Sequence, residues 1–295
     1  MLDEQLKLMH ERLGFIAALD QSGGSTPKAL ANYGVYDNAY TNDEEMFTLV
    51  HEMRTRIVSS PVFTSEHILG AILFENTMDR KVGKLHTADY LWKEKQIIPF
   101  LKIDKGLAPE QNGVQMMKDM PELDTLLEKA VKRNIFGTKM RSVIKAANEE
   151  GIQAIVKQQF EIAKKVIAYK MVPIIEPEVD IHMDDKALAE DILLKYLNEE
   201  LNQLDPADKV IFKLTIPSKR NLYAELMKDE RVVRVVALSG GYSRKLANRL
   251  LGKNKGLIAS FSRALLEGLH ADQTEEEFNQ VLAKSIKDIY KASIK

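Results

Sequence analysis

The chain has 295 residues, a net charge of −1 and no cysteine. This length suits one α/β barrel, and the balanced charge predicts neither a nucleic-acid nor a membrane partner. The absence of cysteine excludes disulfides, thiolate metal sites and cysteine nucleophiles. The N-terminus is charged and has no apolar signal core, and no apolar run approaches the roughly 20 residues that span a bilayer, so we expect a cytoplasmic protein.

Short apolar runs recur along the chain, and polar stretches with helical character lie between them. The runs cover 14–20, 68–74, 97–104, 135–141, 171–179, 210–215, 232–239 and 257–263. Their nearly continuous apolarity is typical of strands covered on both faces. Helices are predicted over 43–58, 121–134, 151–169, 184–202, 221–229, 243–252 and 275–293. This alternation predicts an α/β fold, a single (β/α)8 TIM barrel over residues 1–295.

A doubly wound open sheet is the alternative architecture. The turn after the first run, QSGGSTP, disfavours it because the GxGxxG spacing of such folds is missing. The runs at 14–20 and 257–263 are the weakest strands, since each can also be read as a loop.

Polar side chains interrupt the predicted strands near their carboxyl ends, where a barrel gathers its catalytic groups. They are Asp20, Lys102, Asp104, Lys139, Arg141, Glu176, Glu178, Lys213, Ser239 and Arg263. Because strand side chains alternate between two faces, residues two apart, such as Lys102 and Asp104, share one face. The sequence therefore predicts a rim rich in lysines, arginines and carboxylates.

Lys213 lies inside the apolar run VIFKLT. An ammonium among apolar neighbours is costly, so such a lysine either pairs with a carboxylate or loses its proton. A lysine must be neutral to attack a carbonyl, and both burial and a second cation favour that form. We assign Lys139 as the second cation, Glu176 to proton transfer during dehydration of the adduct, and Asp20 to a substrate hydroxyl.

Two segments are typical of phosphate sites. The first, SGGYS at 239–243, follows the seventh strand and leads into a helix, so its glycines and the helix N-terminus favour an anion. Barrels often bind phosphate with the loops after strands seven and eight. The contacts predicted there are Ser239, Gly240 and Arg263. The second site is predicted at Ser22, Ser25, Lys102 and Arg141, and two anion sites flanking a lysine suit a bisphosphorylated sugar.

The six histidines are scattered along the chain. A zinc site needs several of them together, and nothing in the acidic strand ends requires magnesium. No metal and no cofactor is therefore predicted.

Seven motifs occur in an order that resembles the class I, Schiff-base-forming fructose-bisphosphate aldolases. They are AALDQS, FLKIDKG, GTKMR, PIIEPE, FKLT, LSGG and SFSRAL. The similarity extends over residues 14–263 and is greatest to the short bacterial branch of that family. It implies reversible cleavage of fructose 1,6-bisphosphate, a phosphorylated ketose, in glycolysis and gluconeogenesis. A tagatose-bisphosphate aldolase, or an aldolase acting on both ketose bisphosphates, is the alternative.

The resemblance also implies roles for single residues. It places the Schiff-base lysine at Lys213 and the other catalytic residues at Glu176, Asp20, Lys139 and Glu178. It implies that the C1 phosphate contacts Ser239, Gly240 and Arg263, and that the other phosphate contacts Ser22 and Ser25.

Three features depart from the family pattern. Gln21 stands where an acidic residue often follows the first aspartate, and Met140 replaces the tryptophan of animal homologues. The chain ends in SIK, whereas animal enzymes end in a tyrosine that takes part in proton transfer. The residue that protonates the enamine therefore stays open, with Glu176 as a candidate.

Overall fold

A computed structural model describes residues 2–22 and 26–295. Its main sheet contains eight parallel strands that neighbour one another in chain order. They are β1 Phe15–Leu19, β2 Ile68–Leu73, β3 Ile98–Lys102, β4 Gly137–Ile144, β5 Val172–Val179, β6 Val210–Thr215, β7 Val232–Leu238 and β8 Ile258–Ala259. The two ends of the sheet meet where the Ala18 N–H of β1 donates to the Phe261 carbonyl beyond β8, at 3.1 Å. The (β/α)8 barrel is confirmed, and the open-sheet alternative is wrong.

Helices cover the outside of this barrel. Within the described ranges they are α1 Leu2–Glu11, α2 Thr26–Asn32, α3 Asp43–Ser59, α4 Glu75–Asp79, α5 Thr87–Lys93, α6 Leu123–Lys132, α7 Glu149–Ala168, α8 Lys186–Leu201, α9 Arg244–Leu251, α10 Arg263–Leu266 and α11 Glu275–Ser293. Short 3₁₀ turns lie at Asp37–Ala39 and Leu226–Lys228. A short strand at Val114–Gln115 pairs antiparallel with β4, and a hairpin joins Lys81–Val82 to Leu85–His86.

The alternation of strand side chains separates an apolar barrel interior from an apolar shell under the helices. In β6, Phe212 and Leu214 pack in the outer shell, whereas Ile211 packs inside the barrel. Lys213 therefore shares the interior face with Ile211, one layer nearer the carboxyl end. Glu176 stands in the same relation to Ile174 in β5. The alternation of side chains along each strand thus places Lys213 and Glu176 directly above an apolar layer in the barrel interior.

Close approach of β4 and β5 depends on a glycine. A Cβ atom added to Gly137 would lie 2.1 Å from the carbonyl oxygen of Val172. The two residues are paired in register, and so are Arg141 and Glu176 further along. The missing side chain therefore lets the charged ends of these strands meet.

The helix predicted over 221–229 is wrong. The chain there forms turns and the 3₁₀ segment Leu226–Lys228. Asn221 adopts a left-handed backbone with φ of 59°, its N–H donates to Asn254 Oδ1, and its own Oδ1 accepts from the Lys255 N–H. These bonds tie the segment to the loop after α9 and replace the bonds of a regular helix.

No helix in the described part of the chain combines the length and apolarity needed to cross a membrane.

Candidate active site

A cavity of about 1120 Å³ opens at the carboxyl ends of the barrel strands. The predicted site residues that line it are Asp20, Ser22, Lys102, Lys139, Arg141, Glu176, Glu178, Lys213, Ser239, Gly240 and Arg263. Ser25 lies outside the described residues. The fold therefore brings every described member of the predicted set to one cavity.

Glu176 bridges two lysines at the base of this cavity. Its Oε1 lies 3.0 Å from Lys213 Nζ, and its Oε2 lies 3.0 Å from Lys139 Nζ. Lys139 Nζ also lies 2.7 Å from Asp20 Oδ2. All four side chains are at least nine-tenths buried. The result is a continuous chain of opposite charges from β6 through β5 and β4 to β1.

Gln159 of α7 fixes the backbone that carries Glu176. Its Oε1 accepts the Glu176 N–H at 2.8 Å, and its amide donates to Ser142 Oγ in β4. Gln159 is fully buried, so water does not compete freely for these two hydrogen bonds. A helix outside the barrel thus holds β4 and β5 together beneath the lysines.

A second set of ion pairs lies beside the first. Lys102 Nζ is 2.7 Å from Asp104 Oδ1, and Asp104 Oδ2 accepts the backbone N–H of Arg141 at 3.1 Å. Arg141 Nε donates to Glu178 Oε2 at 2.6 Å. Asp104 was seen at a strand end in the sequence but was given no role. Its spacing of two from Lys102 was the available signal.

The charges in this cluster shift one another's pKa values. Burial on its own would raise the pKa of Asp20, but the charges of Lys139 and Lys213 outweigh burial and lower the pKa well below its usual range. Burial would likewise lower the pKa of Lys139, but Asp20, Glu176 and Asp104 together raise it. Asp20 is therefore an anion and Lys139 a cation at neutral pH.

For Lys102, burial has the larger effect on the pKa. Its pKa is lowered because burial outweighs the attraction of Asp104 and the repulsion of Lys139 adds to burial. The pKa of Arg141 is raised, since Glu178 and the more distant carboxylates overcome its burial.

Besides Lys105, which pairs with Glu75, three exposed cations line the mouth of the cavity. They are Lys28 on α2, Lys118 and Arg263. No carboxylate among residues 2–22 and 26–295 forms an ion pair with any of them, so each is available to an anion. Arg263 faces the loop after β7, since a Cβ added to Gly241 would lie 3.6 Å from its Nη2.

Lys28 and Lys118 were not predicted from the sequence. Lys28 follows the QSGGS segment by one helical turn, which was a usable signal. Lys118 reaches the cavity from the irregular segment between β3 and α6, and no local pattern indicates this.

The phosphate site predicted after β7 stays a prediction, although one backbone donor near it already has a partner. The N-terminus of α9 was expected to favour an anion, but the Arg244 N–H there already donates to Glu267 Oε2 at 3.0 Å. A carboxylate of the protein thus occupies that helix end. Ser239 and Gly240 still line the cavity, and Gly240 has a left-handed φ of 62°.

No three His, Asp or Glu side chains within the described ranges are arranged to hold a metal ion. The polar groups at the base of the cavity are instead committed to lysine and arginine partners.

Known proteins resemble this chain over its whole length. Residues 3–196 match the family model described as fructose-bisphosphate aldolase class-I. Proteins named fructose-bisphosphate aldolase class 1 from Clostridium acetobutylicum and Synechocystis sp. are each 60% identical, over 294 residues (100% of both chains) and 291 residues (99% of this chain and 97% of the relative). The relative of that name from Porphyromonas gingivalis is 55% identical over 295 residues, which is 100% of both chains.

A solved structure shares the fold at much lower sequence identity. It is fructose-bisphosphate aldolase from Plasmodium falciparum, in complex with TRAP and a small-molecule inhibitor. It is 20% identical with a TM-score of 0.78, and the match covers 99% of this chain and 93% of that one. The family model and the bacterial relatives decide the assignment: the chain belongs to the class I fructose-bisphosphate aldolase family.

Proposed function

We propose that this cavity carries out the reaction for which the family is named, the reversible cleavage of fructose 1,6-bisphosphate to dihydroxyacetone phosphate and glyceraldehyde 3-phosphate. The observation that supports it is the placement of Lys213 Nζ 3.0 Å from Glu176, at the base of a cavity whose mouth holds unpaired cations. A buried amine beside a proton carrier is the arrangement that Schiff-base chemistry requires.

Lys213 is the proposed nucleophile. Its neutral amine attacks the C2 carbonyl of the substrate, and the adduct loses water to form an iminium. Glu176 is within hydrogen-bond reach of this nitrogen, so it takes a proton from Lys213 as the amine becomes the nucleophile and then passes that proton to the hydroxyl, which leaves as water. Lys139 keeps its own proton because it is surrounded by carboxylates, so it orients Glu176 without competing as a nucleophile.

Asp20 is the proposed base for carbon–carbon cleavage. It takes the proton of the C4 hydroxyl, the C3–C4 electron pair moves into the iminium, and glyceraldehyde 3-phosphate leaves. The lowered pKa keeps Asp20 ionised and able to accept that proton. The remaining enamine takes a proton at C3, with Glu176, reprotonated from water, as the candidate donor. Hydrolysis of the iminium then releases dihydroxyacetone phosphate, and Asp20 returns its proton to water. Glu178 orients Arg141 through their 2.6 Å bond.

The phosphates are proposed to lie at opposite sides of the cavity. The C1 phosphate contacts Ser239, Gly240 and Arg263, which come from the ends of β7 and β8. The second phosphate contacts Ser22, Ser25, Lys102 and Arg141. Lys102 and Arg141 already hold carboxylate partners. We therefore add Lys28 to the second site, because no carboxylate in the described part of the chain neutralises its charge.

Residues 1–295 are proposed to form one catalytic domain with a phosphorylated ketose as its ligand. We also propose a cytoplasmic location, since a chain without cysteine suits a reducing compartment.

Borohydride trapping tests the mechanism. Reduction of the iminium in the presence of dihydroxyacetone phosphate should inactivate the enzyme and leave the three-carbon unit on Lys213, in a peptide that contains VIFKLT. Lys213→Met keeps the bulk of the side chain and should abolish both trapping and turnover. An adduct on Lys139 or Lys102 would overturn the assignment of the nucleophile, and turnover without any adduct would refute the Schiff base.

A further inference from the structure

Arg54 is a buried guanidinium that the mechanism above does not use. It lies on α3 and only 2% of it is exposed. Its Nη2 donates to the backbone carbonyl of Gln21, and its Nη1 donates to Thr77 Oγ1. Gln21 follows Asp20 at the end of β1, and Thr77 lies in α4, directly after β2. One side chain therefore joins the carboxyl ends of two neighbouring strands.

The charge of Arg54 has no carboxylate partner. No ion pair involves it within residues 2–22 and 26–295, and its buried Nε has no hydrogen-bond acceptor there. Burial lowers its pKa to about 10, although Asp20 opposes the change. It is thus still charged at neutral pH. A buried, unpaired charge costs stability, and a neutral side chain could join the strands at a lower cost. The presence of a charged side chain at position 54 is therefore better explained by its attraction to the nearby carboxylate of Asp20.

Arg54 does not line the cavity, although Met53 and Ile57 of the same helix do. Any effect on substrate must therefore pass through the groups it holds. The first of these is the carbonyl of Gln21, the residue that follows Asp20, and the second is the Thr77 hydroxyl in the helix that follows β2.

We propose that Arg54 is a positioning residue, which fixes the turn after β1 so that Asp20 is aimed at the reacting C4 hydroxyl. This inference rests on the role of Asp20 in the proposed function. Asp20 is needed for carbon–carbon cleavage, whereas attack of Lys213 on dihydroxyacetone phosphate does not involve a C4 hydroxyl. Loss of Arg54 should therefore slow carbon–carbon cleavage without slowing the attack of Lys213 on dihydroxyacetone phosphate.

The test compares cleavage with trapping in Arg54→Gln and Arg54→Lys. Arg54→Gln should lower kcat by about 10- to 100-fold, the effect of losing a charged hydrogen bond. The loss should be the same for fructose 1,6-bisphosphate and for fructose 1-phosphate, which lacks the second phosphate. The rate of borohydride trapping with dihydroxyacetone phosphate should stay within about threefold of wild type. Arg54→Lys should recover part of kcat, because it keeps the charge.

Arg80→Gln is the matched control. The Arg80 guanidinium also joins α3 to α4, through Thr48, Glu44 and Asn76, but none of these three hydrogen bonds reaches β1. This variant should keep kcat within about twofold of wild type. A similar loss in Arg80→Gln would show that the link between the helices, and not Asp20, is what matters.

Several outcomes would overturn the inference. An unchanged cleavage rate in Arg54→Gln would overturn it. An equal loss of the cleavage rate and the trapping rate in that variant would also overturn it. A loss confined to the bisphosphate would show that Arg54 serves the second phosphate and not Asp20. If Arg54→Gln does not fold, Arg54→Lys and Thr77→Val decide by the same ratio of cleavage to trapping. A wild-type enzyme that cannot be trapped at all would instead refute the proposed function.

Discussion

Replacing Lys139 by methionine is the sharpest test of the charge chain at the base of the cavity. The change keeps most of the bulk of the side chain but removes the ammonium, and with it the 2.7 Å contact to Asp20 and the 3.0 Å contact to Glu176. Asp20 and Glu176 are only 8% and 3% exposed. Water therefore cannot replace the lost partner, and the variant holds buried carboxylates with fewer positive neighbours.

Breaking a buried ion pair by removing one partner costs about 3–5 kcal/mol. For a chain of 295 residues, whose unfolding entropy is about 0.6 kcal/mol/K, that corresponds to a fall in Tm of roughly 5–8 °C. Thermal unfolding followed by circular dichroism measures it. Lys195→Met is the control, because Lys195 and Glu149 form a pair 2.8 Å apart in which both side chains are more than half exposed. Its Tm should stay close to that of wild type.

The stability loss in Lys139→Met should depend on pH. In the wild type, the pKa of Asp20 is lowered in the folded state, so its contribution is present above its unfolded value and is lost as pH falls below it. Without Lys139, burial is opposed by the remaining charges of Lys213, Lys102 and Arg54, and the pKa of Asp20 rises. The variant can then relieve its penalty by taking up a proton. Its stability deficit should be smaller at pH 5 than at pH 8, and a deficit independent of pH would refute this account.

The same variant should also react more slowly with substrate. Glu176 is shared between two lysines in the wild type, and without Lys139 it serves the Lys213 ammonium alone. Glu176 then loses the contact that holds its second oxygen, so it is less well placed to carry protons to and from Lys213. Borohydride trapping with dihydroxyacetone phosphate should therefore slow, and an unchanged trapping rate would show that Lys139 does not position Glu176.

Two further predictions concern phosphate and metal. Arg263→Ala should lower kcat/KM for fructose 1,6-bisphosphate by about 10- to 100-fold, because a charge-assisted hydrogen bond contributes roughly 1.5–3 kcal/mol. The loss should be smaller for fructose 6-phosphate, which lacks the C1 phosphate. An unchanged kcat/KM for fructose 1,6-bisphosphate would exclude Arg263 from the site. Activity should survive prolonged EDTA treatment, since the proposed electron sink is an iminium on Lys213; loss on chelation that a divalent metal restores would contradict a lysine mechanism.

Most of the site could be predicted from the sequence because its residues lie on the strands. A period of two is enough to place Lys213 and Ile211 on one face, and the carboxyl ends of parallel strands necessarily lie at one end of a barrel. Residues on strands, such as Glu176 and Lys139, could therefore be grouped before their distances were known. The barrel itself followed from the regular alternation of strands and helices.

Features that depend on contacts distant in sequence could not be predicted in this way. Asn221 breaks the helix expected over 221–229 by bonding to Asn254, which is 33 residues away. Glu267 fills the N-terminus of α9 from 23 residues further along. Arg54 looks like a surface residue of an amphipathic helix. Its burial follows from the packing of α3 against the ends of β1 and β2, which no local pattern encodes.

The distribution of charge divides the cavity into two parts. Four cations lie at its base, and four carboxylates pair with them, so the base is nearly neutral. These residues are Lys102, Lys139, Arg141 and Lys213 with Asp20, Asp104, Glu176 and Glu178. A substrate carrying two phosphates gains little net attraction there, and the unpaired Lys28, Lys118 and Arg263 must supply it. Substitutions at the mouth should therefore act chiefly on KM and its salt dependence, whereas substitutions at the base should act on kcat.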